Sequence, residues 1–480
     1  MMKRRRSYSS FLRPRGFTPL NQQENHETRC ISGVGNAAKK TGLGLVAVVS
    51  ALFLAAVDST IVSTVLPVIG GRLGHPALYP WVMSAFLLPV ALVAPLAGAC
   101  GDRLGVSATL KACLLLFLAA SALAAVSPGM GLLIAARALQ GIGAGGIIVL
   151  SYSLLASLFD AEKRGKMQGM LSGVWGLSAI LGPLLGSVLA SSFGWRAIFW
   201  FNLPVGALAL LLLFVTPPVG KGNGKAALDL PAQLLLMVLA CGLLLLIDSP
   251  AALRGAEYAL WAVTLAALAL LMLRVRQRPT SSPIPLQFFR RGALFSVIIL
   301  VLLSSAGLYS SVTLLPLALS QQAGSLMSSG MLIMLAALGW VVGAAFCGNK
   351  LASVGYRRMA LFGMLMLAGG AFLMALTVGQ HQLPMIAGAL LLIGLGMGFT
   401  ATTTLVFAQN SAPADRLASW TATVQFLRNL GAALGVNTLA TVQLRQAGSD
   451  AFQSCFILLG LSMLVGLCFT LLMPRAYPVS

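Results

Sequence analysis

The sequence predicts an all-α integral membrane fold with fourteen transmembrane helices. Three observations carry that prediction. Of 480 residues, 58% are hydrophobic and only 9% are charged, whereas a soluble domain carries about 25% charged residues. Fourteen apolar stretches reach the roughly 20 residues that cross a bilayer as a helix. Basic residues collect in alternate loops, the pattern of a chain threaded repeatedly through a membrane.

The fourteen stretches run over 43–69, 81–100, 107–127, 131–158, 168–191, 197–216, 230–248, 258–275, 293–319, 328–348, 358–378, 384–408, 417–442 and 452–473. An even count places both termini on one side. Lys163, Arg164, Lys166, Arg274, Arg276, Arg278, Arg290, Arg291, Lys350, Arg357 and Arg358 fall in even-numbered loops or at their edges. Odd-numbered loops hold only Arg72, Arg196, Arg254 and Arg445. Positive charge is retained inside, so both termini are expected in the cytoplasm and the protein in a cytoplasmic (inner) membrane. The same asymmetry explains the net charge of +21 without any nucleic-acid partner.

Residues 1–42 are polar and basic and read as a disordered cytoplasmic tail drawn to anionic lipid. No apolar stretch follows Lys3–Arg6 closely enough to form a signal peptide. The seven cysteines show no CxxC or metal-ligand spacing and read as free apolar packers. His26, His75 and His381 lie in the tail or outer loops, so proton chemistry within the membrane must use carboxylates.

The two ends of the chain echo each other. Pro67, Gly98, Gly141–Gly145, Gly182 and Gly186 recur as Pro316, Gly348, Gly394–Gly398, Gly431 and Gly435, all at offsets near 250. The repeat implies two six-helix bundles, 43–216 and 293–480, with two inserted helices and linkers at 217–292. Parallel halves flanking a central site suit alternating access. The repeat breaks where charge appears: Asp58 aligns with Gly307, and Arg137 with Leu390. Coupling chemistry is therefore expected in the first half.

Asp58 interrupts the apolar run AVVSALFLAAVDSTIVSTVLPVIG. A charge near the bilayer centre costs roughly 3 kcal/mol on the gentlest insertion scale, so Asp58 is a candidate proton carrier. Thr60, Ser63 and Thr64 offer the alternative, a buried carboxyl held by local hydrogen bonds. At 1.5 Å per residue, Arg137 and Asp58 lie roughly 10 and 16 Å deep, near enough to meet directly or through water. Arg428 is a second deep arginine, and no second-half acid is deep enough to pair with it. It either bonds Gln425 and backbone carbonyls or faces the cavity. Gln140, Gln425, Trp175 and Trp340 are the other candidate cavity residues, with packing the competing role for the tryptophans. Asp102 is expected to hold a cytoplasmic gate with Arg103, taking Arg416 across the repeat as its partner; a plain loop cap is the alternative. Asp229 and Asp415 read as helix caps.

Five segments in order carry a resemblance: AVDSTIVSTVLPVI (56–69), GDRLG (101–105), RALQGIGAGG (137–146), GLSAILGPLLGSVLA (176–190) and GWRAIFWFNLPVG (194–206). They are similar to the signature motifs of the major facilitator superfamily, in its fourteen-span drug:proton antiporter branch, and the likeness covers the chain after residue 42. One departure is that Gly105 is followed by Val106 and Ser107 where that branch usually continues with basic residues. The resemblance implies the major facilitator fold and links Arg137 to proton coupling and Gly182, Pro183 and Gly186 to antiport. It implies a monomeric proton-coupled exporter of small amphipathic compounds or drugs, with the proton gradient as its energy source and no cofactor or metal. The alternative cargo is an anionic metabolite such as a siderophore or biosynthetic product. No HExxH, paired carboxylates or histidine cluster points to an enzyme.

Overall fold

In hydrocarbon an unpaired backbone finds no water, so helices that satisfy their own N–H and C=O groups dominate a spanning chain. The computed structural model describes residues 20–73, 78, 81–216, 222, 224, 228–248, 255–319, 325–380, 382–445 and 450–475, and side chains throughout these except at 20–41, 67, 248, 317, 325–330 and 450. Residues 1–19 of the tail lie outside the described residues, as do His75, Arg254, His381 and the side chains of His26, Pro67 and Asp248.

Fourteen long helices form the first half, the insert and the second half. The first half holds α1 (Leu20–Leu73), α2 (Trp81–Leu104), α3 (Val106–Ala125), α4 (Met130–Leu158), α5 (Ala161–Phe193) and α6 (Ala197–Val215). The insert is α7 (Leu230–Asp248) and α8 (Glu257–Gln277). The second half holds α9 (Gly292–Leu319), α10 (Ser325–Val354), α11 (Tyr356–Thr377), α12 (Leu383–Ser411), α13 (Leu417–Arg445) and α14 (Asp450–Thr470). Helix α1 begins at Leu20, inside the stretch 1–42 expected as a disordered tail. Among the described residues, 13 helices are long and apolar enough to cross a membrane. The long helix that falls short is α13, which carries Thr421, Thr423, Gln425 and Arg428. All four are buried, so this helix turns its polar groups into protein instead of lipid.

The halves repeat each other in packing as well as in sequence. Helix α4 packs on α2 and α3, and α6 on α1 and α3; α12 packs on α10 and α11, and α14 on α9 and α11. Helix α5 lies against α1 as α13 lies against α9. The halves meet chiefly through two seams, α2 with α13 and α5 with α10, which a two-fold exchange of halves would interchange. The short α2–α3 and α10–α11 connections turn at Gly105 and Gly355, with φ of 98° and 88°. A side chain rarely adopts that conformation. These two glycines are a further repeat pair, 250 residues apart.

The close inter-half contacts gather at the end carrying the basic loops, here termed the basic end. A methyl group on Gly165 would lie 2.9 Å from the Gly348 carbonyl oxygen, and one on Gly169 would lie 2.8 Å from that of Ala344. Helices α5 and α10 therefore touch backbone to backbone there, as small residues permit in membranes.

The insert leans on α13 and α2. Asp229 caps α7 through the Ala232 amide (3.2 Å) and pairs with Arg274 of α8 at 2.8 Å. Burial works against the Asp229 charge, but the Arg274 and Ala232 hydrogen bonds outweigh it and hold the carboxyl below its ordinary range. After α8 the chain makes a helical turn at Gln287–Arg290, whose buried Phe288 packs on Trp420 of α13 with ring centroids 4.9 Å apart.

The glycine seam predicts that Gly169→Val holds the basic end apart. Overpacking a close contact costs about 1–3 kcal/mol, and separating the halves relieves it. Amine cross-linking of the exposed native Lys163 and Lys350 should fall several-fold in the variant; an unchanged yield would mean that the seam does not govern closure.

Candidate functional site

The first half holds a polar network sealed from solvent. Asp58 of α1 and Arg137 of α4 are both 0% exposed, and Arg137 Nη1 meets Asp58 Oδ2 at 2.5 Å. The other Asp58 oxygen accepts a hydrogen bond from Asn202 Nδ2 of α6 at 2.8 Å. Arg137 also donates to Gln140 Oε1 (2.9 Å), and Gln140 Nε2 donates to Ser121 Oγ of α3 (2.6 Å). Asn202 closes the ring on the same Ser121 hydroxyl at 3.2 Å. The guanidinium stacks 4.1 Å from the centre of the Phe86 ring of α2, a cation–π contact strengthened by the dry surroundings. Five of the six first-half helices thus converge on one ion pair.

This arrangement corrects one expectation and adds two residues. Gln140, expected in the substrate cavity, is fully buried within the first half and braces Arg137 instead. Asn202 and Ser121 were not foreseen. Asn202 had a legible signal, being the lone amide in the apolar run AIFWFNLPVGALALLLLFV. Ser121 had none, because small hydroxyls are common in membrane helices.

The glycines of the span 5 motif adjoin this network. A Cβ on Gly182 would collide with Thr60 Oγ1, and one on Gly186 would lie 3.1 Å from the Ile61 carbonyl oxygen. Thr60 Oγ1 donates to the Ser178 carbonyl at 3.1 Å. Pro183, which lacks a backbone N–H, sits between them inside α5, and the glycines let α5 lie directly on the α1 segment next to Asp58.

At the basic end Asp102 crosses between the halves, though not to the expected partner. It accepts hydrogen bonds from the Ala418 and Ser419 amides, each at 2.9 Å, and from the Ser419 hydroxyl. The carboxylate thereby caps the N-terminus of α13, where the helix dipole favours negative charge. Arg416 instead donates to the Thr280 carbonyl in the linker after α8 and acts on Asp102 only through space. Arg103 is exposed and takes no part in this contact. The second seam is closed by Arg164, which donates to Asn410 Oδ1 at 2.9 Å, and by Gln168, whose Nε2 donates to Gln409 Oε1 at 2.9 Å.

Between the seams lies a small central pocket, lined from both halves by Tyr152, Gln168, Trp340, Leu405 and Arg428 among others. Arg428 is 7% exposed and its Nε has no partner; Trp340 Nε1 and Gln168 Oε1 are also unpartnered. Trp175 stands behind the pocket and donates to the Tyr152 hydroxyl at 3.2 Å. Gln425 is buried on the same helix as Arg428, its Nε2 unpartnered, and its side chain is not among those lining the pocket.

A two-fold helical repeat enclosing a polar pocket is matched by the comparisons. A family model described as Major Facilitator Superfamily matches residues 48–436. The chain belongs to the major facilitator superfamily. Relatives within it include the multidrug transporter protein MdtP of Bacillus subtilis (strain 168), 28% identical over 428 residues, which are 87% of this chain and 78% of that protein. The efflux pump dotC of Dothistroma septosporum (strain NZE10 / CBS 128990) is 30% identical over 423 residues, 84% of this chain and 71% of that one. Among solved structures, the human organic anion transporter MFSD10 (TETRAN) superposes with a TM-score of 0.68 at 20% identity, covering 90% of this chain and 99% of that one. The proton:xylose symporter XylE gives 0.66 at 14% identity, covering 90% and 95%. These two establish the fold alone. As a major facilitator protein the chain is a multi-pass membrane transporter, not an enzyme.

The major facilitator core yields two expectations. Removing one partner of a buried ion pair costs about 3–5 kcal/mol, because the other charge is stranded. Asp58→Ala should therefore lower the thermal midpoint of the purified protein more than Asp58→Ala combined with Arg137→Leu. Additive losses in that cycle would show that the pair contributes nothing. Asp102→Ala removes a cap worth about 1 kcal/mol and loosens the α2–α13 seam, so proteolysis at the basic end should quicken while the thermal midpoint moves little.

Proposed function

We propose that this transporter is a proton-coupled exporter, an antiporter that moves small amphipathic compounds or drugs outward by alternating access. The observation that carries the reading is the Asp58–Arg137 pair, sealed within one half only. Its repeat-related positions are Gly307 and Leu390, so the scaffold does not need the charges to fold its second half. Relatives that carry the names multidrug transporter and efflux pump support the export reading. A cargo of small molecules, a monomeric unit and the proton gradient as sole energy source follow from the same reading.

Asp58 is the proposed proton carrier and Arg137 its regulator. Protonating Asp58 turns an ion pair into a lone buried guanidinium, a change of several kcal/mol. About 5.5 kcal/mol moves a two-state equilibrium from 1:99 to 99:1, so one proton is of the right size to bias the transporter between its two faces. The path of the bias is short. Thr60 and Ile61 follow Asp58 on α1 and press on Gly182 and Gly186 of α5, and α5 forms the seam with α10. On this reading the closed end, which carries the basic loops, faces the cytoplasm of an inner-membrane protein with both termini on that side. The structure is then the outward-facing state, with Asp102 and the glycine seam as the closed cytoplasmic gate.

The alternative cargo, an anionic metabolite such as a siderophore or biosynthetic product, is favoured by one observation: Arg428 in the central pocket has no acid opposite it.

The test uses everted membrane vesicles energised by respiration, with acid interiors. Permanently charged amphipathic cations and anions are added in turn to wild type and to Asp58→Asn. Accepted compounds should collapse the pH gradient in wild type and fail to do so in Asp58→Asn. If an accepted compound collapses the gradient equally in both, Asp58 is structural and the coupling assignment is wrong.

A further inference from the structure

We infer that the central pocket recognises an amphipathic organic monoanion, whose acid group is held by Arg428 and Trp340 and which carries a separate hydrogen-bond donor for Gln168. This deepens the exporter reading and rests on it only in taking the pocket as the cargo site.

The charge argument comes first. The two ion pairs among the described residues are Asp58–Arg137 and Asp229–Arg274. Both are consumed, one inside the first half and one at the insert. Arg428 is 7% exposed; it shares a hydrogen bond with the Tyr152 side chain and has Tyr309 nearby, and among the described residues it forms no ion pair with a carboxylate. A buried cation without a counter-charge is unfavourable. It persists where something outside the chain neutralises it in use. A cationic cargo would add to the strain, whereas an anionic one relieves it.

The orphaned polar atoms then define the shape of the ligand. Arg428 Nε and Trp340 Nε1 are donors with no acceptor, which together ask for two acceptor positions, as an acid group offers. Gln168 Oε1 is an acceptor with no donor. Its amide orientation is fixed by a chain of bonds. Gln409 Nε2 must donate, because it meets the Tyr152 carbonyl at 3.3 Å. Gln409 Oε1 therefore accepts, from Gln168 Nε2 at 2.9 Å, and the Gln168 oxygen is left over. Leu405 and Ala401 supply an apolar wall.

The test is equilibrium calorimetry on the full-length protein in lipid nanodiscs at neutral pH, with empty nanodiscs as the blank and no gradient. The probes are 2-naphthoate, 6-hydroxy-2-naphthoate and the similarly sized cation N-methylquinolinium. Wild type should bind 2-naphthoate at least tenfold more tightly than the cation, and the hydroxylated acid more tightly still. Arg428→Gln should lose at least tenfold of the naphthoate affinity and Arg428→Lys much less, while Trp340→Phe loses a smaller factor. Because Arg428 is a binding group without a counter-ion, ligand-free Arg428→Gln should be no less thermostable than wild type; a structural arginine would show a drop. Tighter binding of the cation, no binding of either acid, or unchanged naphthoate affinity in Arg428→Gln overturns the inference. Since no gradient is used, each outcome is independent of proton coupling through Asp58.

Discussion

Charge placed beyond the reach of water constrains everything else in this molecule. An isolated ion in hydrocarbon is too costly to leave alone, so each deep charge must be accounted for. In the first half the account closes internally. Asp58, Arg137, Asn202, Gln140 and Ser121 satisfy most of one another's polar atoms, and Phe86 covers the guanidinium face. A change at Asp58 therefore reaches five helices at once. In the second half the account stays open at Arg428. One charge is balanced by the fold, and the other faces the pocket without a counter-charge among the described residues.

The backbone is nearly symmetric, and the side chains are not. Gly105 and Gly355 turn equivalent connections, and equivalent helix pairs form both seams. Yet Asp102, which caps α13, has Ala352 as its counterpart. That seam uses a carboxylate on a helix terminus, whereas the α5–α10 seam uses glycine contact with Arg164 and Gln168 reaching across. Arg428 has Ala179 as its counterpart, and Asp58 has Gly307. A duplicated scaffold supplies two surfaces that can rock. The unmatched polar residues make the two surfaces chemically different.

Much of the fold was legible because crossing a bilayer leaves few options. Length and hydropathy marked the fourteen helices, and the glycine offsets marked the halves. Depth along α1 and α4 was enough to bring Asp58 to Arg137. Facing was harder to read. In a membrane bundle the lipid side and the core side are both apolar, so the periodicity that orients a surface helix in water fades. Gln140 is one turn from Arg137, and its sequence could not say whether it looked into a cavity or into the half. Arg416 was assigned to Asp102 on its charge and its place at the start of span 13 in the opposite half. The α13 amides, which no sequence pattern advertises, lie nearer and are fixed in direction. The pocket itself was illegible, because it is assembled from five helices whose contributions are separated by up to 276 residues, from Tyr152 to Arg428.

The insert is the part of the chain with least precedent in the repeat, and its contacts show which half it follows. Phe288 packs on Trp420, Thr280 accepts from Arg416, and the Ile247 carbonyl accepts from Thr441 at 3.3 Å. These contacts hold the insert and its linker near both ends of α13, while Asp229–Arg274 locks α7 to α8. The inserted helices touch the first half along α2, and Gly222 of the preceding linker lies against the backbone of Arg103–Gly105. Any rotation of one half against the other must slide along the α2–α13 seam, and the insert lies beside that seam, fastened to α13. It thus braces the same helix that holds Arg428 in the pocket and receives Asp102 at the basic end.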